Sequence, residues 1–338
     1  RHGLLWSLAV QLGHGRGGTI ASRAPGANER LPLVLGLLTM RGRMDSSQKV
    51  FRRRLVSTLT MWAVVLGTIL SGYEQIFFVT IAGIGLLGLW EYYEMLDRRG
   101  IPNFKLTAII CAVVFFAASS LNFRAHGPEK SYDFEIAVLI MFLLVVFARQ
   151  MFQRTRDRNP LETMAYTLFG LLYIVWLFNF LTKIVYLAPR GPHGETTGQY
   201  YVLYLLLVTK FSDMGAYLVG SVFGRHKLVP HISPHKSWEG LVGAVLVATA
   251  GSFGLWMLIP DRLAVFRPTD LAVLGVLLGL AAVIGDLAES IVKRSADAKD
   301  SGGLLPGIGG VLDLIDSILF TAPLLFFYMR LVLGLPQG

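Results

Sequence analysis

The chain has 338 residues, 54% hydrophobic and only 16% charged, with a mean hydropathy of +0.56. A soluble domain carries roughly 25% charged residues, so the composition excludes an ordinary water-soluble fold and points to a polytopic membrane protein. The net charge of +9 is spread over several short loops, the habit of cytoplasmic loops in membrane proteins, and no nucleic-acid partner is expected.

Residues 1–43 contain six Arg, no Lys and a single acid, Glu29. Arg-rich, acid-poor composition has the character of an organellar transit peptide. The run Met44-Asp-Ser-Ser-Gln-Lys reads as an ordinary start, so residues 1–43 are expected to be a non-native or disordered extension. The apolar run Leu31–Met40 is too short to span a bilayer, which takes about 20 residues.

From Leu55 onward, apolar stretches alternate with short polar loops. Spans are expected near 55–71, 75–92, 106–122, 135–149, 164–187, 199–223, 238–259, 270–292 and 312–333. The expected fold is therefore all-α: a single transmembrane domain over 44–338 with about nine helices. The third span holds Cys111, the lone cysteine, which excludes an intrachain disulfide. One set of alternate loops carries 17 Lys and Arg, from Lys49 through Arg98, Arg154, Lys227 and Lys236 to Lys299; the opposite set carries six. The positive-inside rule then puts the N-terminal flank in the cytoplasm and the C-terminus outside. Only Lys183 and Lys210 fall within spans. In the second span, Gly83-Ile-Gly85-Leu-Leu-Gly88 matches a dinucleotide fingerprint, but it has no preceding strand and reads as helix packing.

A first polar constellation surrounds the end of the sixth span. Lys210 and Asp213 are spaced to pair on one helix, while Ala216, Gly220 and Gly224 repeat every four residues, a packing seam. Ser233-Pro234 reads as a helix start, with Ser237 as a competing cap. A helix start carrying Lys236 beside Arg225 and Lys227 could bind a polyphosphate, or could be an ordinary basic loop. The histidines there lack cysteine companions and do not read as a zinc site.

The second constellation is more demanding. Asp286 and Glu289 lie inside or at the end of one apolar run, and Asp313 and Asp316 open the next. A carboxylate at the bilayer centre costs about 2.5–3.5 kcal/mol, so four of them call for a function. Asp286, Glu289 and Lys293 share one helical face. The intervening stretch Ser301–Gly310 has five glycines in ten residues, and Gly309 and Gly310 lead directly into the last helix. Glycine lets backbone N–H groups approach a phosphate, and carboxylates from two helices suit Mg²⁺. A buried ion-pair network and a flexible linker are the structural alternatives.

These residues resemble a known family. Ser290-Ile-Val-Lys293-Arg294, Lys299-Asp300, Leu305-Pro306, Ile308-Gly309-Gly310 and Asp313-Leu314-Ile315-Asp316 are similar to the signature of phosphatidate cytidylyltransferases, or CDP-diacylglycerol synthases. Asp213-Met-Gly-Ala-Tyr217 and Ser233-Pro-His-Lys-Ser-Trp-Glu239-Gly240 resemble two further blocks in the same order, so the catalytic region is placed at about 205–320. The resemblance implies transfer of a cytidylyl group from CTP to phosphatidate, giving CDP-diacylglycerol and pyrophosphate, with Mg²⁺ and a second cation such as K⁺. It implies that Asp286, Asp313 and Asp316 hold metal, and that Lys293, Arg294, Lys299 and Asp300 contact phosphates or orient the loop. Asp213, Ser233, Lys236, Glu239, Gly309 and Gly310 are then the expected substrate-binding residues. It also implies an integral protein of a bacterial inner membrane, a cytoplasm-facing site, contact with membrane lipids and room for a homodimer. Ile308 and Leu314 depart from the family's usual His and Arg. The carboxylates and lysines remain in place, so an active enzyme is expected; a transferase acting on another lipid, an ion-coupled transporter and an inactive paralogue are the alternatives.

Overall fold

The computed structural model describes residue 56 and residues 59–126, 131–153, 159–190, 197–298, 301–304 and 309–335. The extension at 1–43, together with Lys299, Asp300 and Ile308, lies outside the described residues.

The described chain is almost entirely helical. A short apolar helix, α1 (Leu59–Leu70), is followed by α2 (Glu74–Arg98), α3 (Lys105–His126) and α4 (Ser131–Met151). Next come α5 (Pro160–Gly170), a π-helical turn (Leu171–Trp176) and α6 (Phe180–Leu187), which together make one span, Pro160–Leu187. Then α7 (Gly198–Phe223), α8 (Trp238–Leu258), α9 (Pro268–Ser295) and α10 (Leu312–Phe327) complete the fold, α10 continuing into a π-helical turn. Eight helices are long and apolar enough to cross a membrane. The first of the nine expected spans is the shorter α1, which at 12 residues covers about 18 Å of axis.

Ion pairs sort the loops to two ends. At one end Arg99 Nη1 meets Asp297 Oδ2 at 3.2 Å, tying the α2–α3 loop to the end of α9. At the other, Arg190 lies 3.7 Å from Glu74, joining the end of α6 to the start of α2. The end of α2 thus lies with the end of α9, and the start of α2 with the end of α6.

The packing seam on α7 is real. A Cβ on Gly215 would collide with the backbone oxygen of Gly243, and Gly220 and Gly240 stand face to face, a Cβ on either reaching the other's Cα at 3.4 Å. With no side chains between them, α7 and α8 approach at backbone distance. Two of the three fingerprint-like glycines also serve packing: Cβ atoms on Gly85 and Gly88 would meet Phe116 and Ile315, while Gly83 has open space beside it.

One expectation is corrected. Ser233 does not start a helix. Residues Ser233–Ser237 form a strand, β2, antiparallel to β1 (Lys227–Val229), and Ser237 caps α8 by accepting the Gly240 N–H at 3.1 Å. In a two-stranded ribbon Pro234 can turn its missing donor outward, so a Ser-Pro pair serves an edge strand as well as a helix start.

Candidate active site

The C-terminal end of α9, the N-terminal ends of α8 and α10 and the C-terminal part of α7 converge at one end of the bundle. On α9, Asp286 and Glu289 are one turn apart. Gly285 lets α10 come close, because its Cβ would lie 2.8 Å from the Asp316 carbonyl oxygen. As a result oxygens of Asp286, Glu289 and Asp316 all lie within 4.8 Å of one another. At that spacing and an effective dielectric of about 20, each pair of ionised carboxylates repels by at least about 3 kcal/mol.

Three lysines surround this negative charge. Lys293 Nζ bridges Glu289 Oε2 at 2.6 Å and Asp313 Oδ1 at 2.9 Å. Lys236, delivered by the hairpin, reaches Asp286 Oδ2 at 2.8 Å and the Val283 carbonyl at 3.1 Å. Lys210 Nζ lies 3.0 Å from Asp213 Oδ2 and donates to the Leu314 carbonyl at 3.4 Å. Even so, Glu289 Oε1 is buried without a hydrogen-bond partner. An orphaned carboxylate oxygen facing two other carboxylates fits a hard divalent cation with oxygen ligands, Mg²⁺ above all.

The remaining expected residues divide into those beside this cluster and those away from it. Asp313 stands next to it, its Oδ2 accepting the Gly310 N–H at 2.7 Å while Lys293 holds Oδ1. Gly309 has φ +126, where a side chain would be strained and a Cβ would lie 2.7 Å from Asp313 Oδ2. Arg294 turns away: its Nη1 donates to the His231 carbonyl at 2.6 Å and ties α9 to the hairpin. Glu239 accepts from His226 Nδ1 at 2.6 Å and from the Arg225 N–H at 3.2 Å, closing the loop after α7 outside the carboxylate cluster. Ser233 pairs with Val229 in the hairpin.

Glu289, one of the four carboxylates singled out in the sequence, joins Asp286 and Asp316, whereas the resemblance put Asp313 there. One role was not read from the sequence. Glu91, on α2, is 2% exposed, and its Oε2 accepts the Leu312 N–H at 2.9 Å across 221 residues of chain. It crowds the glycine turn, since Cβ atoms on Gly302 or Gly310 would collide with its carboxylate. The available signal was a lone acid in the apolar run Gly88-Leu-Trp-Glu91.

A polytopic helical bundle with carboxylates and lysines gathered beside a glycine turn at one end is the class of protein that the fold and the site define. Residues 52–332 match the profile described as "Cytidylyltransferase family", and the chain belongs to that family. It is 42% identical over 279 residues to the phosphatidate cytidylyltransferase of Brucella suis, covering 81% of this chain and 93% of that protein. It is 30% identical over 291 residues to that of Bacillus subtilis, covering 85% and 99% respectively. Phosphatidate cytidylyltransferase 5, chloroplastic, of Arabidopsis thaliana is 31% identical over 313 residues, covering 85% of this chain and 74% of that protein.

Proposed function

We propose that this protein transfers the cytidylyl group of CTP to phosphatidate, giving CDP-diacylglycerol and pyrophosphate in phospholipid biosynthesis. The carrying observation is the convergence of Asp286, Glu289 and Asp316 with Lys236 and Lys293 at one end of the helix bundle. Family membership and the names of the relatives agree with it.

The acceptor phosphate needs no general base. A phosphate monoester loses its second proton with a pKa of about 6, so its oxygen is already anionic at neutral pH. That oxygen forms a bond to the α-phosphorus of CTP; the bond from this phosphorus to the β-bridging oxygen breaks, and the electron pair leaves with pyrophosphate. Asp286, Glu289 and Asp316 would hold Mg²⁺, which when bound draws charge from phosphate oxygens. Lys293, locked between Glu289 and Asp313, would present a fixed positive charge to the phosphates, and Lys236 a second one. Asp313 would hold the glycine turn through the Gly310 N–H, so that the turn is shaped before substrate arrives.

The 17-to-6 division of basic residues supports a cytoplasm-facing site, and the bacterial relatives agree with a bacterial inner membrane. Single cysteines in place of His235 and Asp261, in a Cys111→Ala background, are expected to label from opposite sides of the membrane. Same-side labelling would remove this orientation. The activity is tested by incubating purified protein with labelled CTP and phosphatidate. Label in chloroform-extractable lipid with release of pyrophosphate is expected; incorporation only with another lipid, such as a polyprenol, would overturn the acceptor.

A further inference from the structure

A cavity of about 510 Å³ runs between α1, α2, α6, α7 and α10. Neither Asp286, Glu289 nor Asp316 lines it. Along α7 its wall extends from Val202 to Lys210, about 12 Å of helix axis. The wall is mostly aliphatic and aromatic, and of its three threonines, Thr60, Thr68 and Thr80, the last two have spent their hydroxyls. Thr80 donates to the Ile76 carbonyl at 2.8 Å, and Thr68 and Thr80 share a hydrogen bond of 3.1 Å. Among the described residues, Lys210 is the only charged side chain in the lining.

Lys210 lies where α10 contributes Val311 and Leu314 to the wall. An ammonium group has three donors. One goes to Asp213 and one to the Leu314 carbonyl, and the third has no partner among the described residues. Leu314 turns into the cavity, whereas Asp316, two residues on, belongs to the carboxylate cluster. The first turn of α10 thus separates the two spaces, and Lys210 stands at its edge. An occupant that matches the cavity is apolar over most of its length and anionic at one end. CTP, polar throughout, does not match it.

We propose that this cavity holds an acyl chain of the phosphorylated lipid acceptor, with the lipid phosphate at Lys210. This deepens the cytidylyltransferase reading and rests on it. The lipid would enter from the bilayer side of α1 and α2, and its phosphate would stop at the edge of the carboxylate cluster, where the oxygen that attacks CTP is needed.

The test is photo-cross-linking of the full chain in phosphatidylcholine nanodiscs, using a phosphatidate analogue with a diazirine midway along one acyl chain. Adducts are expected on lining residues such as Ile84 and Ile318, competed by unlabelled phosphatidate but not by diacylglycerol. Lys210→Met should lower these adducts at least fivefold and raise the KM for phosphatidate more than that for CTP, while Lys210→Arg should keep most of the signal. Ile84→Trp narrows the cavity from α2, leaves Lys210 itself unchanged, and should also lower the adducts. Adducts only on lipid-facing positions such as Val79 and Val113, or adducts indifferent to both Lys210→Met and Ile84→Trp, would overturn the proposal. Competed cavity adducts without any CDP-lipid would keep the cavity and remove the cytidylyltransferase reading. Turnover of phosphatidate without cavity adducts would do the reverse.

Discussion

Two groups of charge are buried in this bundle, and they are built on opposite plans. In the first, Lys183 Nζ meets Glu135 Oε2 at 2.5 Å, with the two side chains 1% and 4% exposed, and Trp176 Nε1 donates to the same carboxylate at 3.3 Å. One cation faces one anion, and Phe180 covers the ammonium at 4.2 Å. In the second, Asp286, Glu289 and Asp316 crowd together; each group leaves one buried carboxylate oxygen without a hydrogen-bond partner, Glu135 Oε1 in the first and Glu289 Oε1 in the second, so the difference is three acids in place of one. Glu289 and Asp316 are buried like the first pair, and Asp286 is partly exposed. The lesson is that charge balance separates a group that holds the fold from one arranged to receive a ligand.

The largest expected effect breaks the second group. Glu289→Gln keeps the shape and removes one charge, so kcat should fall by about 10²–10³-fold, the scale for losing one electrostatic group from a preorganised site. Its thermal midpoint in detergent should stay level or rise, because like-charge repulsion is relieved. A large loss of stability at unchanged kcat would place Glu289 with the structural pair instead.

The first group should answer the other way. Lys183→Met leaves Glu135 buried and unpaired, at a cost of about 3–5 kcal/mol of stability, with kcat of the folded fraction near wild type. Adding Glu135→Gln should recover most of the stability, as read by thermal scans of the single and double variants. Failure of the double variant to recover would show that the pair is not self-contained.

Glu91 sharpens the contrast. It is a single buried carboxylate that serves a backbone N–H of α10. Glu91→Ala should cost about 1.5–3 kcal/mol, the range for a hydrogen bond to a charged group, and Glu91→Gln should retain part of it. The smallest effect belongs to the scaffold between the groups: Ser237→Ala removes the α8 cap and should cost about 1 kcal/mol, seen as a small downward shift of the midpoint. A loss of several kcal/mol there would mean that the hairpin falls with the cap.

Much of this was legible in the sequence because it depends on periodicity. Apolar runs gave the long helices, and the one-turn spacing of Asp286 and Glu289 put them on one face. The four-residue repeat Ala216, Gly220, Gly224 pointed to the seam of α7 with α8. What stayed hidden depends on distance or rotamer. No local pattern links Glu91 to Leu312. The spacing of Asp313 and Asp316 cannot say which of them joins Glu289, since that is settled by the Gly310 N–H and by Lys293. Arg294 sits beside Lys293 in sequence but points to the hairpin, which was itself missed because Ser-Pro suits both a helix start and an edge strand.

The glycine seam between α7 and α8 also bears on how this protein can change. Where backbones touch, no side chain can grow, so neither evolution nor a laboratory library has variation to draw on there. The opposite wall offers more room: on α1 and α2, Trp62, Ile84 and Leu87 line a cavity and can be made larger or smaller. Attempts to retune acyl-chain preference belong on that wall, with the seam left as a fixed frame.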